Sequence, residues 1–343
     1  MTTPPLNILY LGLASGTSLD RANAYRRLGH QITHIDPRQL LPKSAWVDRI
    51  TWHVGDNLLA PLVRWKLWRA LKGLRFDLCH VDSGEWINTA TIKMLKGCAN
   101  KVINYNIDDP TGSRDFKRFN CYRSSLGEYD LVVVVRAENV AEVKALGARH
   151  VLRVFRSADE ITHAPRTISE EDKKIWAADV LFIGTWMPER GPFLLKLIEL
   201  GVPLSIRGAR WDKAPEWEQL RPFWRGGHIE GDDYAKAIQC AKVNLGLLSK
   251  GNRDLHTTRS LEIPALGGLL CAERTSEHAL LFKEKEEILM WNSPEECAQE
   301  CLFALTNNTK RSTIANNGQS RFHVSQLGNQ NICSLLIKKT FRR

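Results

Sequence analysis

Long apolar runs and paired cysteines are missing from this sequence. No run reaches the ~20 residues that a membrane-spanning helix needs, and the start, MTTPPLNILYLGL, lacks the basic region and small-residue cleavage site of a signal peptide. We therefore expect a cytoplasmic protein. The eight cysteines include no CxxC pair, and several, such as Cys79 and Cys271, have apolar neighbours, so we expect reduced, buried thiols. Cys297 and Cys301 are one helical turn apart, but the sequence around them offers no His or further Cys for a zinc set.

Acidic residues are outnumbered by basic ones. The chain has 48 Lys and Arg against 38 Asp and Glu, a formal charge of +10, and its pI is about 9.2. Such a surface favours nucleotide phosphates, acidic lipid headgroups or nucleic acid, although it is equally compatible with a merely solvated basic surface. No helix-turn-helix, zinc finger or aromatic RNA-binding strand accompanies the charge. We expect no nucleic-acid partner.

Length and periodicity predict two domains. A chain of 343 residues with 43% apolar residues is too long for one ordinary α/β core. Short β-rich runs alternate with helical stretches, which is typical of parallel sheets covered on both faces. Polar and acidic residues interrupt this pattern around 156–172. We predict a Rossmann-like domain over 1–160, a linker over 161–175 and a second Rossmann-like domain over 176–343. The predicted strands are 6–13, 31–35, 75–81, 101–105, 129–135, 180–183, 203–206, 243–247 and 268–271.

The segment 249–268, SKGNRDLHTTRSLEIPALGG, concentrates cations, hydroxyls and carboxylates between a predicted strand and a predicted helix. Lys250 and Arg253 can neutralise phosphate oxygens, and the backbone of Thr257 and Thr258 can donate N–H groups. A carboxylate such as Glu262 can accept from both hydroxyls of a ribose. The segment therefore suits a nucleoside diphosphate, and a capped helix with a charged first turn is the plainer interpretation.

Several segments resemble the CgeB-like spore-maturation proteins and, more distantly, the large retaining GT-B glycosyltransferase family. Residues 183–191, IGTWMPERG, correspond to the V-G-R-L-x-x-x-K-G motif of the larger family, so Arg190 takes the place of its phosphate-binding lysine and Thr185 that of its arginine. Glu262 stands at the second of the two glutamates of that family, and Asp254 at the first. The CgeB-like match is closer in 9–12, 105–112 and 247–254.

The resemblance implies an α/β protein of the GT-B class, with two Rossmann-like domains facing each other across a cleft. It implies sugar transfer from a nucleoside-diphosphate sugar to an unknown acceptor hydroxyl. We expect no cofactor, and no metal either, because two adjacent aspartates rarely point the same way and no third ligand is evident beside Asp108 and Asp109. Taken together, the residues and the resemblance give Asp108, Asp109, Asp254 and His256 as candidate catalytic residues. They give Gly16, Thr17, Gly184, Thr185, Arg190, Lys250, Arg253, Thr257, Thr258 and Glu262 as candidate donor-binding residues.

Some of these residues have a second interpretation. Asp108 and Asp109 follow a predicted strand, where either could serve as the base for an acceptor hydroxyl or could form an Asx-turn. His256 could protonate a leaving group, or could simply cap or pack. Gly16 and Thr17 lie in GLASGTS, which is neither GxGxxG nor a P-loop.

Residues 62–76, LVRWKLWRALKGLRF, carry two tryptophans and five cations. This stretch could lie on an anionic membrane surface, so peripheral membrane contact stays open. Trp65 and Trp68 also share a helix face with Leu62 and Leu71, which is more typical of core packing.

Other functional classes fit less well. The sequence lacks the dinucleotide fingerprint of an oxidoreductase and the strand-end D-x-D of a metal-dependent GT-A transferase. Thr185 and Asp254 depart from the motifs of the larger family. The alternative is therefore a catalytically inactive nucleotide-sugar binding or scaffold protein in a surface-glycan or spore-coat pathway.

Overall fold

The computed structural model describes residues 4–341, which divide into two compact units. The first unit contains the chain up to Phe155, together with Gly251–Arg253 and the segment from Asn329. The second contains Arg156–Lys250 and Asp254–Gly328. Each unit is built around its own parallel sheet.

The sheet of the first unit has the strand order β2-β1-β3-β4-β5-β6, with every neighbouring pair parallel. Successive residues of β1 point to opposite faces, so Leu9 and Leu11 enter one apolar core while Ile8 and Tyr10 enter another. Its strands are β1 (Asn7–Leu11), β2 (Gln31–Ile35), β3 (Phe76–Asp82), β4 (Ala99–Asn106), β5 (Leu131–Val134) and β6 (Val151–Arg153).

The sheet of the second unit has the order β11-β10-β9-β7-β8 and is also parallel. Its core gathers apolar residues of the strands and of several flanking helices. The strands are β7 (Ala178–Ile183), β8 (Leu204–Arg207), β9 (Ala241–Gly246), β10 (Leu270–Glu273) and β11 (Leu289–Trp291). The predicted α/β class with two Rossmann-like parallel sheets is confirmed.

Helices connect and cover the strands. Within residues 4–341, none of them is both long and apolar enough to cross a bilayer. The helices are α1 (Gly16–Arg27), α2 (Ala45–His53), α3 (Ala60–Leu71), α4 (Thr89–Lys96), α5 (Asn120–Ser125), α6 (Ala137–Ala145), α7 (Glu170–Trp176), α8 (Arg190–Glu199), α9 (Trp217–Leu220), α10 (Gly231–Cys240), α11 (Arg259–Ala265), α12 (Ser276–Leu281), α13 (Pro294–Thr306), α14 (Asn308–Ser325) and α15 (Asn329–Phe341).

The division of the chain differs from the predicted boundaries at two places. The C-terminal helix α15 belongs to the first unit, where it packs against α1, because its apolar stripe of Ile332, Cys333, Leu336 and Ile337 completes a core of that unit. The predicted linker 161–175 belongs to the second unit and is partly helical. Its polar residues form a capping box, in which Ser169 and Asp172 bond each other's backbone at the start of α7.

Helix α3 contradicts the core-packing interpretation of its tryptophans. The buried stripe consists of Ala60, Val63, Leu67 and Leu71. Trp65 and Trp68 lie outside that stripe and are about half exposed. The sequence pattern misled because α3 carries apolar residues on more than one face.

Three buried cysteines meet in the core of the second unit. Cys271 on β10 lies beside Cys297 and Cys301 on α13, with the three sulfur atoms within 4.8 Å of one another. The spacing along the chain does not indicate that Cys271 joins this group, because the sheet brings it there. Among the described residues, no further His, Cys, Asp or Glu joins this group. The expectation that the protein needs no metal stays a prediction.

A close approach of two glycines fixes the end of β7. A Cβ atom on Gly208, whose φ is +137°, would lie 2.1 Å from the Gly184 carbonyl oxygen, whereas a Cβ on Gly201, with φ +84°, would meet nothing within 4 Å. We expect Gly208→Ala to lower the free energy of unfolding by about 3 kcal/mol, because strain and a backbone clash add. Gly201→Ala, the control, should cost about 1 kcal/mol. Urea unfolding measures both, and equal losses would contradict the close approach.

Candidate functional site

Each sheet has a point at which its chain connections diverge. In the first unit this point lies between β1 and β3, and in the second it lies between β7 and β9. In open α/β sheets, ligands bind beyond the carboxyl ends of the strands at such a point. One pocket lies near each of these points. Some of the site residues predicted from the sequence line these pockets, and the others lie in the structure around them.

Arg190, the first residue of α8, joins the ends of β7 and β9. Its side chain is buried, and its guanidinium donates to the carbonyl of Thr185 at 2.8 Å and to those of Leu247 and Leu248 at 3.3 and 3.4 Å. Gly184, beside it, accepts a hydrogen bond from the indole of Trp211 at 2.9 Å. Arg190 therefore brings a buried positive charge to the divergence point, with its donors directed at backbone carbonyls.

A pocket of about 200 Å³ follows these strand ends. It contains two of the predicted phosphate-binding residues, Arg190 and Lys250. The Lys250 side chain is 57% exposed and its ammonium pairs with Glu273 at the end of β10. Because this pair is solvent-exposed, it is weak and easily exchanged. The remaining lining residues are Glu189, Phe193, Leu247, Leu248, Trp291, Asn292 and Pro294.

Asp254 and His256 are buried and are held by Arg156. The Arg156 guanidinium donates to Asp254 Oδ1 at 3.0 Å, and the Arg156 backbone N–H donates to His256 Nε2 at 2.9 Å. His256 Nδ1 therefore carries the proton and faces Glu277. Burial lowers the pKa of His256, although the neighbouring Glu277 opposes this. Asp254 and His256 thus form part of a buried network that fixes the loop before α11.

Glu262 lies on α11 and is also buried. The hydroxyl of Tyr234 donates to its Oε2 at 2.8 Å, and His163 Nε2 lies 3.6 Å from its Oε1. Burial and the nearby Glu262 charge raise the pKa of Tyr234, so this phenol stays protonated and donates. Glu262 is therefore a pre-positioned acceptor whose side chain is held from α10.

Thr257 and Thr258 form the turn that leads into α11. The N–H of Thr257 donates to Ser260 Oγ at 3.0 Å, while the carbonyl of Thr258 accepts the N–H of Glu262 at 2.9 Å. The hydrogen bond to Ser260 uses the Thr257 N–H, which we expected from the sequence to donate to a phosphate. Thr257 Oγ1 is buried and has no hydrogen-bond partner in the described part of the chain.

The pocket of the first unit, of about 260 Å³, brings together three predicted residues. Gly16 and Thr17 begin α1, and Asp108 follows β4. The Asp108 carboxylate is partly exposed and lies 3.4 Å from Arg118, which also binds Glu85 at 2.7 and 3.0 Å. The pocket thus offers a carboxylate beside a fixed cation.

A buried ion pair forms the floor of this pocket. Arg21 of α1 donates to both carboxylate oxygens of Asp82 at 3.1 and 3.2 Å, and its guanidinium lies over the ring of Tyr105. Burial alone would raise the pKa of Asp82, but the electrostatic effects of Arg21 and His80 and the hydrogen bonds from Ser18 and Arg21 together hold that pKa below its usual value. Burial lowers the pKa of neighbouring His80 to about 3, so its ring is neutral. The pair is a fixed dipole under the pocket.

Asp109 and Arg253 bind each other within the first unit. Arg253 donates to the two oxygens of Asp109 at 2.6 and 2.7 Å, and to Glu142 at 2.7 and 3.0 Å. Asp109 also accepts the N–H of Gly112, three residues along the chain, at 3.2 Å, so this acid caps the backbone of the turn that follows it. These contacts do not favour a phosphate role for Arg253 or a base role for Asp109.

Several residues that shape these sites were not singled out from the sequence. Arg21, Arg118, Arg156 and Tyr234 each bind a carboxylate, yet none belongs to a recognisable motif. Arg259, inside the basic segment, donates to the Ile183 carbonyl at 2.7 Å and so ties α11 to the end of β7. Of these residues, Arg259 alone could have been found from the sequence, because it lies in the basic segment 249–268.

Comparison with known proteins supports the fold. The family model described as Glycosyl transferase-like matches residues 190–336. No curated protein matches the chain. Sucrose-phosphate synthase from Thermosynechococcus elongatus is 13% identical, with a TM-score of 0.68 over 98% of each chain. HepE of Anabaena, in complex with UDP-glucose, is 12% identical, with a TM-score of 0.65 over 98% of this chain and 99% of that one.

A third structure, a glycosyltransferase from Rickettsia africae, is 12% identical, with a TM-score of 0.64 over 98% of each chain. At such identities the likeness shows the fold alone. The chain therefore has the GT-B glycosyltransferase fold, as the sequence resemblance implied, while the CgeB-like assignment stays a prediction.

The Arg253 cluster gives a pH-dependent stability. Hydrogen bonds from Arg253 lower the pKa of Glu142 to about 2, and they also lower that of Asp109 against the opposing effect of burial. Carboxyl groups with a depressed pKa stabilise the fold above their unfolded pKa of about 4, and this contribution disappears as the pH falls through the folded value. Arg253→Gln should therefore cost about 2 kcal/mol at pH 7, discounted for the exposure of Arg253, and progressively less below pH 5.

Urea unfolding of wild type and variant at pH 7, 5 and 3 measures this difference. Lys196→Gln, which removes an exposed pair with Glu199, is the control and should change little at any pH. A loss for Arg253→Gln that stays constant with pH would show that packing, and not the ion pairs, is responsible.

Proposed function

We propose that this protein transfers a sugar from a nucleoside-diphosphate sugar to an acceptor hydroxyl. The GT-B fold over the described chain and the Glycosyl transferase-like match over 190–336 support this proposal. The HepE structures with UDP and with UDP-glucose show that this fold holds such ligands in another protein. A CgeB-like enzyme acting on a glycan, a protein or a small molecule is the finer form of the same proposal.

One observation carries the proposal: Arg190 and Lys250 line a single pocket beside the divergence point of the second sheet. Departure of the sugar leaves negative charge on the diphosphate, and cations already in place lower the free energy of that transition state. The buried Arg190 supplies a constant positive potential. Lys250 has an exposed ammonium that can leave Glu273 and bind a phosphate oxygen directly.

The other predicted residues take distinct roles in this proposal. Glu262 accepts from the ribose hydroxyls, while Asp254 and His256 hold the loop between Lys250 and α11 in place through Arg156. Gly184 and Thr185 form the turn that Arg190 clamps. In the first unit, Asp108 is the base for the acceptor hydroxyl, with Gly16 and Thr17 in the same pocket. No metal enters this scheme.

The donor site is tested by thermal shift with UDP, GDP, CDP, ADP and dTDP, since a ligand that binds only the folded state raises the melting temperature. We expect one diphosphate to stabilise the wild type, and Lys250→Gln to weaken its binding about tenfold. The melting temperature without ligand should stay the same, because the Lys250 pair is exposed. Lys196→Gln is the matched control, and unchanged binding by Lys250→Gln would contradict the site.

The ribose role of Glu262 has its own test. Glu262→Gln keeps an oxygen that can accept from Tyr234, so the fold should persist while the bidentate charged acceptor is lost. Calorimetry should show that the wild type prefers the nucleotide over its 2′-deoxy analogue by about tenfold, as a charged hydrogen bond implies. The variant should bind both equally. A preference that survives in the variant would place the ribose elsewhere.

Turnover separates the enzyme from an inactive binding protein. The substrates are the sugar conjugates of the nucleoside diphosphate that stabilises the protein. With them, the wild type should release free nucleoside diphosphate. Asp108→Asn should release it at least about a hundredfold more slowly and should keep its affinity for the donor. Donor binding with no release across a panel of acceptors would favour the scaffold alternative.

A further inference from the structure

Helix α3 exposes bulky apolar side chains that no other part of its unit covers. Trp65 is 49% exposed, Trp68 is 53% exposed and Leu62 is 37% exposed. The opposite stripe of the helix already supplies its core contacts. Large exposed aromatic side chains that are clustered, and not scattered singly, mark interaction surfaces.

These side chains form a groove with the neighbouring helix α4. The groove has a volume of about 410 Å³ and runs between Pro61, Trp65 and Trp68 on α3 and Ala90 and Met94 on α4, with Arg64 beside it. We call it the tryptophan groove. Its walls are almost entirely apolar, so its occupant must offer apolar surface.

The charge around the groove is mainly positive. Residues 57–76 contain five cations and no acidic residue, and α4 adds Lys93 and Lys96, again without an acid. Lys93 and Lys96 share Glu128 at 3.7 and 4.0 Å. In the described part of the chain, no acidic side chain pairs with Arg64, Arg69 or Lys72. The Arg69 guanidinium lies 5.0 Å from the Trp65 ring centre, so a cation and an indole stand together at the rim.

We propose that the tryptophan groove is the site at which this protein binds, peripherally, to an anionic lipid bilayer. Tryptophan prefers the boundary between headgroups and acyl chains, where its ring contacts hydrocarbon and its N–H contacts water. Lysine and arginine beside it bind headgroup phosphates, while their aliphatic stems lie on apolar surface. The groove therefore places apolar side chains beside an excess of cations, as the hydrocarbon and the anionic headgroups of a bilayer require.

Other occupants match the groove less well. A second copy of this chain would bring the same excess of cations against it, which costs free energy. A nucleic acid would match the charge, but it would need polar side chains to bind its backbone along the groove, and the walls supply Pro, Ala, Met and Trp. The proposal does not rest on sugar transfer, since it concerns only this face of the first unit.

Vesicle sedimentation tests the proposal with the full chain. We expect binding to phosphatidylcholine vesicles that contain about a third phosphatidylglycerol, weaker binding in high salt and little binding to pure phosphatidylcholine. Trp65→Ser/Trp68→Ser should lower the partition coefficient at least about tenfold, because the apolar contact is lost. Arg69→Gln/Lys72→Gln should remove the preference for anionic vesicles.

The matched control is Leu280→Ser/Val324→Ser, which removes two exposed apolar side chains of the second unit and should bind vesicles as the wild type does. Thermal unfolding of every variant should match the wild type, since each changed residue is exposed.

Three results would overturn the proposal. The first is vesicle binding that Trp65→Ser/Trp68→Ser leaves unchanged. The second is no vesicle binding, with a dimer in solution that this variant dissociates. The third is no vesicle binding, with an oligonucleotide bound by the wild type and lost in the variant.

Discussion

The second unit depends on the burial of one guanidinium. Arg190 is buried, and its guanidinium donates to the carbonyl groups of Thr185, Leu247 and Leu248, whose dipoles stabilise its charge. Burying a charge without such partners costs several kcal/mol. The turns after β7 and β9 must therefore hold these carbonyl groups within hydrogen-bonding distance of the Arg190 guanidinium. The same constraint holds the walls of the pocket and leaves a positive potential at its floor.

The predicted site separates into parts with different physical tasks. Arg190 and Lys250 line a pocket, Asp254 and His256 belong to a buried network around Arg156, and Glu262 is held from α10 by Tyr234. Arg253 and Asp109 neutralise each other within the first unit. A motif match alone assigns ligand contacts to all of these residues, whereas burial and hydrogen-bond partners distinguish those that face a pocket from those that support it.

The sequence predicted most strands closely, because buried parallel strands are short apolar runs that turn signals delimit. β2 has the predicted bounds, and β7, β8 and β10 differ by a few residues at most. The short strands β6 and β11 were missed, since three residues carry too little pattern. α15 was assigned to the wrong unit because an amphipathic stripe shows that a helix packs but does not show against which core. The exposure of Trp65 and Trp68 on α3 was not predicted for a related reason: periodicity does not show whether an apolar face is covered or exposed.

The prediction of the candidate site was weaker where long-range pairing decides. Arg253 looked like a phosphate ligand from its neighbours in sequence, yet Asp109 and Glu142 reach it from distant segments. Cys271 and Arg156 acquire their partners in the same way. Lys250 lines a pocket at a strand end, where an exposed cation has few internal partners and its local sequence context decides its surroundings. Its role as a phosphate ligand stays a prediction.

A crystal structure of the protein with its preferred nucleoside diphosphate would test the central claim most directly. The account predicts phosphate oxygens within hydrogen-bonding distance of the Lys250 ammonium, in the pocket above Arg190, with both ribose hydroxyls on Glu262. A diphosphate bound away from Lys250, with Glu262 still held only by Tyr234 and His163, would contradict it.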